Sequence, residues 1–360
     1  MNGQKKVKLI LEDGTEFHGY SFGYEEAVSG ELVFNTAMTG YPESLTDPSY
    51  RGQIIVSTFP LTGNYGVPGT QSEQDILKNF ESDKIHAKAI ITSYYSETYS
   101  HWNARTSLAD WLKQHKVPGI YGIDTRELTI KLREEGAQLA RIEFSENDSK
   151  VFYNPDEDHL VKQVSVPEPV TYGNGKYKVL LVDCGVKNNI IRNLLERDVT
   201  VLRVPFNYSF NPVDFDGVFI SNGPGDPAIN TETIENIQKA LKADTPVMGI
   251  CLGCQLMALA TGAKTYKLKY GHRGHNQPVL LKGTNKCYIT SQNHGFAIDE
   301  KTLSEEWELM FTNANDGTCE GIRHKMKPFF AAQFHPEASG GPTDTEFLFD
   351  EFMNLISKAK

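Results

Sequence analysis

Apolar positions follow two different rules along this chain. From residue 178 onward, unbroken apolar runs alternate with stretches of helical spacing. "KVLLVD" (178–183), "TVLRVP", "DGVFI" and "PVMGI" are runs of the first kind, and "NNIIRNLLERD", "TETIENIQKALKAD" and "LGCQLMALATG" are of the second. Runs without polar alternation predict strands buried on both faces, hence a parallel sheet covered by helices. The expected fold class is α/β, with a doubly wound, mostly parallel sheet in the C-terminal half.

The first half reads differently. "KLILEDGTEFHGYSFG", "GELVFNTAM", "GQIIVSTF" and "HAKAIITS" are short strand-like runs between turns, while "SLADWLKQHK" and "TRELTIKLREEG" have helical character. The second of these helices carries Leu128, Ile130 and Leu132 and stops at Gly136. A separate mixed α/β domain is expected, in a strand order that periodicity does not set. The seam is "SVPEPVTYGNGKYK" (165–178), rich in proline and glycine. The expected organisation is an N-terminal domain over 1–150, a linker over 151–176 and a C-terminal domain over 177–360.

Composition narrows the function classes. The 360 residues are 39% hydrophobic and 23% charged, which suits about two domains of ordinary size. Net charge is −10, so electrostatics give no reason to expect nucleic acid or an anionic membrane as partner. The apolar stretch "VKLIL" near the start is too short for a signal-peptide core, and no run reaches the ~18 residues of a membrane span. Five cysteines do not make a disulfide scaffold. A soluble, reduced, cytoplasmic protein is expected.

Chemistry enters at "GICLGCQ" (249–255), where Cys251 and Cys254 stand three apart after an apolar run. Zinc needs about four ligands. Yet there is no second Cys-x-x-Cys, and "GHRGH" offers only His272 and His275, so no metal site is expected. A redox pair at a helix start and two small buried apolar residues remain open alternatives. A nucleophile fits the position better. Cys251 falls at a strand-to-helix elbow with Gly249 and Gly253 at the flanking glycine positions, where a helix N-terminus favours a thiolate. Cys254 lies a turn further on, so the two are not equivalent.

A nucleophile needs a base and a group to orient it. "PFFAAQFHPE" ends an apolar strand with His335 and Glu337, which at spacing two would share one face. An oxyanion hole would draw on the Leu252 N–H and on "SNGPGDP", where Gly223 and Gly225 let the backbone approach a ligand. By spacing alone, "DPSY" with Ser49, and "QNHGF" with Asn293, Gly295 and Phe296, read only as turns.

Together "GICLGCQ", "SNGPGDP" and "FHPE" resemble the class I (triad) glutamine amidotransferases over about residues 177–358. "GELVFNTAMTGYPESLTDPSYRGQIIVSTFPLTGNYG" (30–66), "GIDTRELTIKLREEGA", "KYGHRGHNQPV" and "TSQNHGFAID" look like the small subunit of carbamoyl-phosphate synthetase. The resemblance implies glutamine hydrolysis through a thioester on Cys251, with His335 and Glu337 completing a triad. It also implies that Ser49, Gly223, Gly225, Leu252, Gln255, Asn293, Gly295 and Phe296 bind L-glutamine. The chain departs from the family at Cys254, where histidine is usual; this leaves any supporting role of that histidine unfilled.

The acceptor half of such a reaction has no signature here. Neither Gly-x₄-Gly-Lys-Ser/Thr nor Gly-x-Gly-x-x-Gly after a strand occurs. No cofactor is therefore expected in this chain. By resemblance, ATP and Mg belong to a large subunit that receives ammonia, with the N-terminal domain as docking surface. Two rivals stand beside this reading: a self-sufficient cysteine hydrolase, and a redox or binding module built on the two cysteines.

Overall fold

The computed structural model describes residues 5–148 and 151–359; residue 150, where the N-terminal domain was expected to end, lies outside them. Chain packing separates two units between Asp158 and His159.

In the first unit the short apolar runs close into a barrel. Around it stand Lys6–Leu11, Gln138–Glu143, Val28–Asn35, Gln53–Ser57, Ala89–Thr92, Gly119–Tyr121 and Glu16–Ser21. The run from Val28–Asn35 through Gly119–Tyr121 is parallel and the other neighbours are antiparallel. Closure leaves no free sheet edge, and alternate residues of Gln138–Glu143 point inward and outward. The helix Leu108–Gln114 begins where Ser107 Oγ accepts the Asp110 N–H at 3.0 Å. The helix Thr125–Glu135 begins at Asp124 and ends at Gly136, whose φ of 106° suits glycine. That helix buries Leu128 and Leu132 but leaves Ile130 exposed.

The second unit is built on a ten-stranded sheet. Its order is Val170–Tyr172, Val199–Pro205, Tyr177–Asp183, Gly217–Ile220, Val247–Ile250, Phe329–Ala332, Cys319–His324, Trp307–Asn313, Lys264–Leu281, Cys287–Asp299. The five strands from Val199–Pro205 to Phe329–Ala332 are parallel, and they are the continuous apolar runs of the sequence. Their order reverses direction beside Tyr177–Asp183. At such a point the loops at the carboxyl ends of the strands open a crevice.

The stretch 151–176 has structure of its own. Leu160 and Val161 bury in the second unit's core, and Val170–Tyr172 pairs antiparallel with Val199–Pro205. "QNHGF" is not a turn. It lies inside the strand Cys287–Asp299, which pairs with Lys264–Leu281. Register shifts between Lys267 and His272 and between Gly274 and Gln277 take up the irregularity that its glycine suggested. Among the described residues no helix is long and apolar enough to cross a membrane.

Candidate active site

Cys251 is the last residue before the helix Leu252–Ala260 and follows directly on the strand Val247–Ile250. Its φ of 53° and ψ of −105° lie outside the usual regions for an L-residue, a strain that persists only where the surroundings impose it. Here they do. The Cys251 N–H donates to the Ala332 carbonyl at 2.8 Å, and the Cys251 carbonyl accepts from Gln255 N at 3.2 Å. A Cβ on Gly249 would stand 2.8 Å from the backbone of Gly253 and from Met257 Sδ, and one on Gly253 would strike the Ile220 carbonyl. Both glycines are thus required for the helix to start so close to the sheet. The thiol is buried and donates to the Asn293 carbonyl at 3.7 Å.

His335 comes from the neighbouring strand's end. Phe329–Ala332 is parallel to Val247–Ile250, and beyond it His335 forms a bridge with Ser291. Glu337 faces His335 because a turn follows at residues 336 and 337, not because extended alternation continues. His335 Nδ1 lies 2.7 Å from Glu337 Oε1, and the same oxygen accepts from Lys187 Nζ at 2.9 Å. All three are buried. Asn189 Nδ2 also donates to the Glu337 carbonyl.

The electrostatics follow from that contact. Burial penalises a charged His335, yet Glu337 outweighs it, with help from Cys251, and raises its pKa from 6.5 to about 10. Burial would likewise raise Glu337; Lys187 and His335 instead hold it down to about 2. His335 Nε2 closes no hydrogen bond among the described residues, although the Cys251 thiol is near enough to act on it.

Lys187 was not singled out from the sequence. It closes "DCGVK" just past the strand Tyr177–Asp183, and its only signal is a lysine within an otherwise buried stretch. Its own N–H donates to Asn222 Oδ1 at 3.1 Å, which ties the start of the helix Asn188–Leu195 to the loop carrying "SNGPGDP".

That loop lies against the elbow. A Cβ on Gly223 would strike the Cys184 carbonyl and stand 2.8 Å from Leu252 Cδ2, and Gly225 has a φ of 83°. Ser221 Oγ accepts from Cys184 N at 2.9 Å and donates to the Asn222 carbonyl at 2.8 Å. Gln255 Nε2 donates to the Phe296 carbonyl at 2.9 Å and to Gln333 Oε1 at 3.0 Å. The second unit therefore brings Cys251, Leu252, Gln255, Gly223, Asn293, Phe296, His335 and Glu337 together, with Gly225 and Gly295 on the same segments. Ser49 belongs to the first unit. It sits in the turn Pro48–Tyr50, where its N–H donates to Asp47 Oδ1 at 2.9 Å.

Cys254 is wholly buried inside the helix, and burial pushes its thiol pKa well up. It cannot share the role of Cys251. A thiol at a strand-to-helix elbow, beside an imidazole held by a carboxylate, suits acyl transfer, and a thiol inside the helix with no such neighbour suits packing.

Comparison with known proteins bears on the whole length. Residues 180–355 match the family described as "Glutamine amidotransferase class-I", and residues 9–142 match "Carbamoyl-phosphate synthase small chain, CPSase domain". The carbamoyl phosphate synthase arginine-specific small chain of Chaetomium globosum is 49% identical over 98% of this chain and 78% of its own length. The multifunctional protein pyr-3 of Neurospora crassa is 48% identical over 98% of this chain but 21% of its own. The multifunctional protein CAD of Squalus acanthias is 50% identical over 98% of this chain and 16% of its own. The chain thus spans about a fifth or less of these two multifunctional relatives.

Proposed function

Since the chain belongs to the carbamoyl phosphate synthase small-chain family, we propose that it hydrolyses L-glutamine to glutamate and ammonia. The ammonia then passes to a large subunit that uses ATP and Mg to build carbamoyl phosphate from bicarbonate, for arginine or pyrimidine synthesis. The observation that carries this reading is the strained Cys251 elbow beside the buried His335–Glu337 pair. The reversal of strand order beside Tyr177–Asp183 supports the doubly wound form of the C-terminal domain, because right-handed crossovers then put helices on both faces.

In the proposed reaction the Cys251 proton is held by His335, whose affinity for it Glu337 raises, and Sγ attacks the side-chain amide carbon of glutamine. The oxyanion is met by the Leu252 N–H and by N–H groups of the Gly223–Gly225 loop. Each such donor is worth about 10²–10³ in rate. Collapse breaks the carbon–nitrogen bond, and His335 returns its proton to the departing ammonia. His335 then takes a proton from water, which attacks the thioester and releases glutamate and Cys251. Glu337 holds the imidazole in the tautomer that presents Nε2, and Lys187 holds Glu337 in place. Gln255, Asn293, Gly295 and Phe296 frame the amino-acid end of the substrate. Ser49 is proposed as a further glutamine contact and the N-terminal domain as the large subunit's docking surface, both from family resemblance.

The test is labelling with a glutamine-shaped chloroketone, followed by peptide mapping with and without excess glutamine. Labelling at Cys251 alone, blocked by glutamine, is the expected result. Equal labelling of Cys251 and Cys254, or no protection by glutamine, would overturn the assignment.

A further inference from the structure

On the far side of the strand that carries Asn293, a second set of buried polar side chains converges. His272, His294 and Glu320 come from three different strands: Lys264–Leu281, Cys287–Asp299 and Cys319–His324. One donor atom from each lies within 4.8 Å of the others. The two imidazoles stand edge to face, with centroids 4.9 Å apart. None of these residues has a part in the proposed glutamine chemistry.

Two features distinguish the cluster from an ordinary polar contact. First, each imidazole has its outer nitrogen occupied. His272 Nε2 lies 2.8 Å from Asp316 Oδ2, and His294 Nδ1 lies 2.8 Å from the Phe296 carbonyl. A carbonyl oxygen can only accept, so His294 carries its proton on Nδ1 and turns the Nε2 lone pair inward. There it faces Gln292 Oε1 at 3.2 Å and Glu320 Oε1 at 3.9 Å. His272 Nδ1 points at the same oxygen from 3.2 Å. Ring nitrogens fixed this way, by a carboxylate and a backbone carbonyl, are what orient metal-binding histidines. Second, Glu320 is fully buried and its Oε2 has no hydrogen-bond partner among the described residues. Asn313 Nδ2 satisfies only Oε1, at 3.0 Å. An orphaned carboxylate oxygen in a dry interior is costly unless something positive reaches it.

We propose that His272, His294 and Glu320 form a binding site for a Zn²⁺-class transition-metal cation. Two imidazoles and a carboxylate are a donor set for Zn²⁺ or Co²⁺, and not for Mg²⁺ or Ca²⁺, which take oxygen ligands. Metal bonds of ~2.0–2.1 Å set ligand edges of about 3.3 Å, within reach of small ring and carboxylate rotations here. Glu320 Oε2 is available as a further donor. Asp316, with 43% of its side chain exposed, marks the entry side. A cation there would tie the Cys319–His324 strand to the hairpin of Lys264–Leu281 and Cys287–Asp299, across the intervening Trp307–Asn313. The inference is independent of the glutaminase reading and stands or falls by itself.

The experiment is a titration of the chelator-treated full-length chain with Co²⁺, read by visible absorption. The expected result is one Co²⁺ per chain, with no near-ultraviolet thiolate charge-transfer band, since exposed Cys287 is the competing thiol ligand. Asp316→Asn, a change at a half-exposed position, should weaken binding about 10–100-fold, and His272→Asn should abolish it. Should His272→Asn fail to fold, the wild-type Co²⁺ form still answers. Proton NMR should show two paramagnetically shifted, exchangeable imidazole N–H signals, from His272 Nε2 and His294 Nδ1. Absence of saturable binding would mean that the cluster holds only a proton. That outcome, a thiolate band, or an Asp316→Asn variant with unchanged affinity would each overturn the proposal.

Discussion

Glu337 Oε1 lies between a cation and an imidazole, 2.9 Å from Lys187 Nζ and 2.7 Å from His335 Nδ1. The carboxylate is therefore shared: Lys187 offsets part of the charge that would otherwise act on His335 alone. Glu337→Gln keeps the shape and removes the charge. Glutamine hydrolysis should fall about 10²–10⁴-fold in kcat with KM little changed. A loss below about tenfold in steady-state assays would rule out an orienting role for the carboxylate.

The same pair sets a pH dependence of stability. His335 has a folded pKa raised from 6.5 to about 10, so its contribution is complete below 6.5 and is lost as pH rises toward 10. Glu337 has a folded pKa lowered from 4.5 to about 2, so its contribution is complete above 4.5 and is lost as pH falls toward 2. Both act fully only between pH 4.5 and 6.5. The stability difference between wild type and Glu337→Gln, taken from urea midpoints, should be largest in that window. A difference that stays flat to pH 9 would contradict the sign for His335.

Gly253→Ala tests the elbow. The added methyl would strike the Ile220 carbonyl, and backbone cannot swing aside as a side-chain tip can. A loss of at least about 1–3 kcal/mol is expected, together with reduced chloroketone labelling of Cys251. A variant of wild-type stability that labels normally would show that the helix has room to shift.

The two cysteines should separate cleanly. Cys251→Ser should lower activity by at least about 10³-fold and leave the urea midpoint near wild type. Cys254→Ser places a hydroxyl in an apolar core and should cost about 1–3 kcal/mol, with the residual folded enzyme still active. Reversal of the two phenotypes would return the Cys-x-x-Cys to a redox reading.

Much of the second unit was legible because its signals are local. An apolar run, a glycine, a cysteine and a second glycine specify the elbow from "PVMGICLGCQ" alone, and the packing of helix on sheet gives each glycine its steric reason. Leu128, Leu132 and Gly136 fixed their helix in the same way. What escaped depends on distant pairing. The barrel needs Gln138–Glu143 to stand beside both Lys6–Leu11 and Val28–Asn35, over a hundred positions away, which no window of the sequence contains. "QNHGF" looked like a turn because its glycine was visible and its partner strand was not. Lys187 escaped for a related reason: a single lysine has no period, and its meaning comes from Glu337, which lies 150 positions further on.

Cys251 directly follows, and His335 lies just beyond, two adjacent parallel strands whose register runs through four pairs, from Val247 with Phe329 to Ile250 with Ala332. Those strands lie in the interior of the sheet, with no free edge from which to fray. Fraying at the edge strands therefore does not reach the ladder that sets these two strand ends side by side. Loss of catalysis on heating should accordingly follow the same curve as loss of the whole unit, and the amides of Met248 and Ala331 should be among the slowest to exchange with deuterium. The proposed thiol–imidazole pair is thus built against the part of the sheet that should yield last.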